Sequence, residues 1–145
     1  MEAFDKGKIL KEYNLDIAYI SPLTRAKHTY DELNKSLNIP YYIDENLKER
    51  DFKSYEGKVY ESIDYSIVWD IELSKNIDIE PIEELVTRVE CALNRIRLEA
   101  YNKNVLIVAH SGVCRAIRYI IEGKKEKDLR NFKMENLHID VYKEW

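Results

Sequence analysis

Apolar positions along this chain follow two periods. Val105 to Ala109 form an unbroken apolar run, rich in β-branched residues and closed by His110, Ser111 and Gly112. Such a run predicts a strand buried on both faces, as in a parallel sheet. Asp16 to Ile20 (DIAYI) and Tyr41 to Ile43 predict two shorter strands. Elsewhere the period lengthens to that of a helix. It predicts helices over Glu2–Tyr13, from Ser21-Pro22 to Leu37, over Glu61–Lys75, from Pro81 to Ala100 and over Val113–Ile121. The stripe after Pro81 is the most regular: Ile82, Leu85, Val89, Leu93, Ile96 and Ala100. Ser21 as N-cap with Pro22 at the first helical position starts one helix, and Asn14 and Gly123 close two others. Leu47–Tyr60, dense in charge and aromatics, predicts an irregular segment, and Lys124–Phe132 a short helix. Finally Leu137, Ile139 and Val141 alternate with His138, Asp140 and Tyr142, the pattern of a half-buried edge strand. Strands alternating with helices predict an α/β fold with a mostly parallel sheet.

Composition narrows the class. At 145 residues the chain predicts a single domain, 1–145, and 45% apolar content supports one core. A net charge of −4 with no basic run points away from nucleic acid. The longest apolar run is far short of a membrane span, and the N-terminus lacks a signal-peptide pattern. Two cysteines, Cys91 and Cys114, show neither C-x-x-C nor metal-ligand spacing. The expected setting is the reducing cytoplasm, with no membrane partner.

Two strand-to-helix junctions carry the candidate chemistry. A buried parallel strand delivers its last residue, here His110, to the carboxyl edge of the sheet, where open α/β folds bind ligands. The helix that follows offers an N-terminus that favours phosphate or carboxylate. Ile20–Thr29 (ISPLTRAKHT) is a second junction of the same kind. Each residue also has a plainer reading. A strand-end histidine can be structural, Arg25 in a first helical turn can be a solvated charge, and Glu49 lies in a charge run.

Taken together, these segments resemble the histidine phosphatase superfamily, phosphoglycerate mutase-like branch. ISPLTRAKHT resembles its S-P-L-x-R-A-x-x-T signature, Leu47–Gly57 its L-x-E-x-x-F-G-x-x-E-G segment, and Asn104–Ala116 its V-x-H-G-G-x-x-R-A block. The closing ENLHIDVYK is similar to the family's last strand. The resemblance implies a three-layer α/β/α fold and phosphoryl transfer through a phosphohistidine, with no metal or organic cofactor. It makes Arg25 a phosphate-pocket arginine, whose planar fork suits bidentate binding. His110 becomes the pocket's second histidine and Glu49 the general acid/base. Arg50 matches a substrate-contacting arginine. Ser111 stands where the block has Gly, either adding a phosphate donor or tolerating the turn, and Lys53 replaces the Gly of F-G, implying a changed loop. His28 is expected at the rim, His138 outward on the edge strand and Cys114 in the core.

One departure is large. The family's first strand ends in Arg-His-Gly, whose histidine is the nucleophile, and that tripeptide occurs nowhere in this sequence. The pattern is entered partway through the family's first helix, as an N-terminally truncated form. Loss of an enzymic nucleophile can lower turnover by around a millionfold. An unfilled place in the sheet would leave backbone groups unpaired at about 1–3 kcal/mol each. The expectation is a phosphomonoester hydrolase fold, phosphatase rather than mutase because the segment between Tyr60 and Pro81 is short, with low or no turnover as written. The alternative is a catalytically inactive phospho-ligand-binding or oligomerisation module. Expected partners are inorganic phosphate or a small phosphorylated metabolite, and a second copy of the chain or a strand-completing segment. Both a fragment and a native short protein fit.

Overall fold

A computed structural model describes residues 2–56, 65–132, 134 and 137–145. Its elements in chain order are α1 (Glu2–Leu10), β1 (Ile17–Ile20), α2 (Thr24–Leu37), β2 (Tyr41–Ile43), α3 (Tyr65–Val68), α4 (Ile82–Glu99), β3 (Val105–Val108) and α5 (Ser111–Ile121), with single 3-10 turns between several of them. The strands form one parallel sheet in the order β2-β1-β3. Period-two alternation sends Ala18, Ile20 and Val108 into a cluster with Leu10, Ala26, Tyr30 and Leu33 of α1 and α2. Ile17 and Tyr19 point the other way, into a larger cluster under α4 and α5. The result is the expected three layers, helices on both faces of a parallel sheet.

Local sequence explains most boundaries. A turn of 3-10 helix extends α1 to Tyr13, and Asn14 at φ 52° closes it in the left-handed region. Gly7 lets α1 lie close on α2, because a Cβ there would stand 2.7 Å from the Leu33 carbonyl oxygen. Every position of the α4 stripe, Ile82 through Ala100, is buried.

Several expectations are corrected. α2 starts at Thr24, not Pro22, since Ser21 Oγ accepts from Leu23 N–H at 3.2 Å instead of capping a helix. The helix predicted over Glu61–Lys75 lies partly outside the described residues. Where described it shrinks to α3, because Asp70 Oδ1 accepts from the N–H groups of Glu72 and Leu73 and turns the chain. Lys124–Phe132 forms no α-helix. Its main chain bonds across to α3's exit, Ile71 N–H to Lys127 O and Leu129 N–H to Trp69 O, leaving one 3-10 turn at Leu129–Asn131. Residues 137–145 form no strand: Ile139, Tyr142 and Trp145 pack against the cores without a pairing partner among the described residues. Lys53 adopts φ 46°, the left-handed conformation that glycine tolerates best, so this part of the loop keeps a glycine-like backbone.

Candidate active site

The carboxyl ends of β1 and β3 bring the two predicted junctions side by side. Ser21 N–H donates to Val108 O at 2.9 Å, which fixes one strand end against the other. Two residues beyond Val108, His110 Nε2 meets Ser21 Oγ at 2.7 Å, with the serine fully buried and the histidine nearly so. With Leu23 N–H on one acceptor position, the hydroxyl still has a donor and an acceptor position for the ring, whichever tautomer is present. His110 also sets the start of α5: its backbone is extended and its carbonyl accepts from Cys114 N–H.

Glu49 reaches the same place from the irregular segment. Its Oε1 accepts from Arg50 N–H at 2.8 Å and its Oε2 from Gly112 N–H at 3.2 Å, seating the carboxylate on the first turn of α5. Gly112 makes that seat possible, since a Cβ there would collide with Glu49 Oε1 and approach Trp69 to 2.9 Å. Arg25, in the first turn of α2, completes the group. Burial holds the His110 pKa below 6.5; the Glu49 charge pulls it back up and the Arg25 charge adds to the depression. These surroundings therefore disfavour the charged form of the imidazole.

Arg25, Glu49, His110 and Ser111 all line one cleft of about 1030 Å³, with His28 on its wall. Arg50 is not brought there. It is 1% exposed, its Nε donates to Glu80 O at 2.8 Å and its Nη1 to Val68 O at 2.5 Å. Its guanidinium lies 4.7 Å from the Trp69 ring centre, and burial pushes its pKa down to about 10. Cys114 is a cleft-lining thiol raised to about 12 by burial, and His138 pairs with Asp140 at 2.9 Å. Among the described residues no group of three or more His, Cys, Asp or Glu side chains could hold a metal ion. No described helix is long and apolar enough to cross a membrane.

Two supports escaped the sequence reading. Ser21 looked like a helix cap, although its place beside the Arg25 motif was visible. Arg88, on α4 off its apolar stripe, carries no signal in the sequence that sets it apart from other helix charges. It donates to the carbonyls of Asn46, Lys48 and Glu49 at 2.8, 2.7 and 3.2 Å, and its other contacts go to the Glu80 carboxylate at 2.8 and 2.9 Å. Arg88 thus holds the backbone that carries Glu49.

Known proteins resemble this chain in sequence and fold. Residues 2–144 match the family described as histidine phosphatase superfamily (branch 1). A Bacillus subtilis relative named "Uncharacterized phosphatase PhoE" is 32% identical over 141 residues, covering 93% of this chain and 67% of its own. The solved structure of Bacillus stearothermophilus YhfR superposes with a TM-score of 0.77 at 25% identity, covering 88% of this chain and 66% of its own. A mycobacterial glucosyl-3-phosphoglycerate phosphatase in complex with inorganic phosphate shares the fold, at TM-score 0.69, 17% identity, and 83% and 65% coverage. This chain thus spans about two thirds of the length of these proteins.

Proposed function

The chain belongs to the histidine phosphatase superfamily, and on that premise we propose that its cleft binds the phosphoryl group of a small phosphomonoester or inorganic phosphate. The observation that carries this reading is the convergence of Arg25, Glu49, His110 and Ser111, from separate segments, on one cleft. Arg25 offers a planar pair of donors for phosphoryl oxygens, and Ser111 adds a hydroxyl and the opening N–H of α5. His110 sits beside the oxygens, fixed by Ser21, and Glu49 serves as the proton donor.

In the reaction this arrangement suits, an imidazole nitrogen attacks phosphorus, the P–O ester bond breaks, and the leaving oxygen takes the Glu49 proton. Water then attacks the phosphohistidine, returns its proton to Glu49 and releases phosphate. His110, with Nε2 engaged by Ser21, fits the supporting histidine and not the attacking one. We therefore propose hydrolase rather than isomerase chemistry, with phosphate binding retained and turnover low or absent for the chain by itself. The free thiols suit a cytoplasmic setting.

Orthovanadate or phosphate should raise the melting temperature of the unmodified chain, and not that of His110→Ala or Arg25→Ala. An equal shift in all of them would overturn the pocket. Hydrolysis of p-nitrophenyl phosphate that both substitutions abolish would show that an attacking group is already present.

A further inference from the structure

We propose that His138, oriented by Asp140, accepts a phosphoryl group at Nδ1, so that the tail supplies the attacking group of the cleft. The inference rests on the phosphate-binding reading above, and it makes turnover low rather than absent. The alternating pattern expects His138 outward on an edge strand. The structure instead puts it on the wall of the cleft that holds Arg25, Glu49, His110 and Ser111. The course of the tail fixes its level there. Trp145 O accepts from Arg97 Nε in the last turn of α4, at the amino end of β3, so the tail comes down from the carboxyl edge of the sheet. Ile139 packs against Ala18, Ile20 and Val108, on the side of α1 and α2, and neighbours in an extended chain point opposite ways. His138 and Asp140 therefore face α5. Asp140 stands near the first turn of that helix, where burial first, and then the charges of Asp140 and Glu49, push up the Cys114 thiol. Two residues earlier, His138 lies about 6–7 Å nearer the carboxyl edge at the rise of an extended chain. From Cys114 back to Ser111 is about 4.5 Å along the helix. His138 is thus level with Ser111 and His110.

The pairing of the ring selects its reactive atom. His138 Nε2 lies 2.9 Å from Asp140 Oδ1, and an ionised carboxylate only accepts, so Nε2 carries the proton. In the neutral ring the lone pair is then on Nδ1, which has no bond partner among the described residues. The side chain is 34% exposed, which leaves that atom open to a ligand. A carboxylate behind an imidazole fixes its tautomer and stabilises the cation formed as it reacts. The other two histidines lack this arrangement. His110 is nearly buried with Nε2 on Ser21, and His28, exposed on α2, has no carboxylate partner among the described residues. In the step, the Nδ1 lone pair attacks the phosphorus of a phosphomonoester held by Arg25 and Ser111. The P–O ester bond breaks, and the leaving oxygen takes the Glu49 proton. Water then attacks phosphorus, the N–P bond returns its electron pair to Nδ1, the water proton goes to Glu49, and phosphate leaves.

The test mixes the full chain with p-nitrophenyl phosphate and quenches it in alkali, where phosphohistidine survives. Release of p-nitrophenolate is followed, tandem mass spectrometry finds the modified residue, and phosphorus NMR assigns the nitrogen. One phosphoryl group on Nδ1 of His138 is expected. Release should fall to the uncatalysed rate in His138→Gln and Arg25→Ala, and slow about tenfold or more in Asp140→Asn. Transfer to His110 or His28 overturns the inference, as does release unchanged in His138→Gln. Labelling of His138 that Arg25→Ala leaves unchanged also overturns it, because the attack then lies outside the pocket. Vanadate stabilisation is measured in parallel. A melting shift with neither release nor phosphohistidine sinks the attacking role and keeps the pocket, and the absence of all three sinks both.

Discussion

The surroundings of His110 disfavour its protonation, and that has a consequence for stability. Burial, the main cause, and Arg25 outweigh Glu49 and keep its folded pKa below the ordinary 6.5. Below pH 6.5 the unfolded chain therefore binds a proton that the folded chain resists, so the unfolded state gains as pH falls. The penalty starts near pH 6.5 and is complete once pH lies below the folded value. The slope of urea-unfolding free energy against pH should be positive on the acid side of 6.5 and flatter in His110→Asn. Identical slopes would mean that the ring titrates freely in the folded state. Arg50 shows the reverse lesson at the same scale. Its position in the E-R pair suggests substrate contact, yet Nε and Nη1 donate to two main-chain carbonyls and the guanidinium is buried beside Trp69.

At the scale of elements, the segment bearing Glu49 has little regular structure of its own, and α4 supplies its order. Arg88 reaches the carbonyls of Asn46, Lys48 and Glu49, and Glu80 fixes Arg88 in turn. Burial tends to raise the Glu80 carboxyl pKa, but hydrogen bonds from Arg88 and from Asp51 N–H prevail and hold it below 4.5. Arg88→Gln shortens the reach and removes the charge. Amides from Asn46 to Asp51 should then exchange about tenfold or more faster, an opening cost of about 1.4 kcal/mol, while β1 amides stay protected. Unchanged exchange would show that the loop orders itself.

For the whole molecule, the tail joins the two hydrophobic clusters. Ile139 packs on one core, Tyr142 and Trp145 on the other, and Arg97 Nε donates to Trp145 O at 2.7 Å. Deleting residues 137–145 should lower stability by about 2–4 kcal/mol, discounted because these side chains are only partly buried. Equilibrium urea unfolding reads it, and an unchanged midpoint would show that the tail merely lies on the surface. The sequence by itself determined what depends on neighbours along the chain. It set the helical stripes, the β3 strand, the parallel α/β class, and the placing of His110 and Arg25 at strand-to-helix junctions, because periodicity and capping are local; it overstated the burial of β3, where Val108 is buried and Val105, Leu106 and Ile107 are half-buried. Tertiary structure decided what depends on partners far away in sequence. Ser21 became the holder of His110, Arg88 the clamp on Glu49, and Arg50 a buried support. The alternating tail shows the limit most plainly. Its pattern is that of a strand, but a strand exists only where another edge lies within about 4.8 Å to complete the ladder, and here β3 and the tail line the same cleft without pairing.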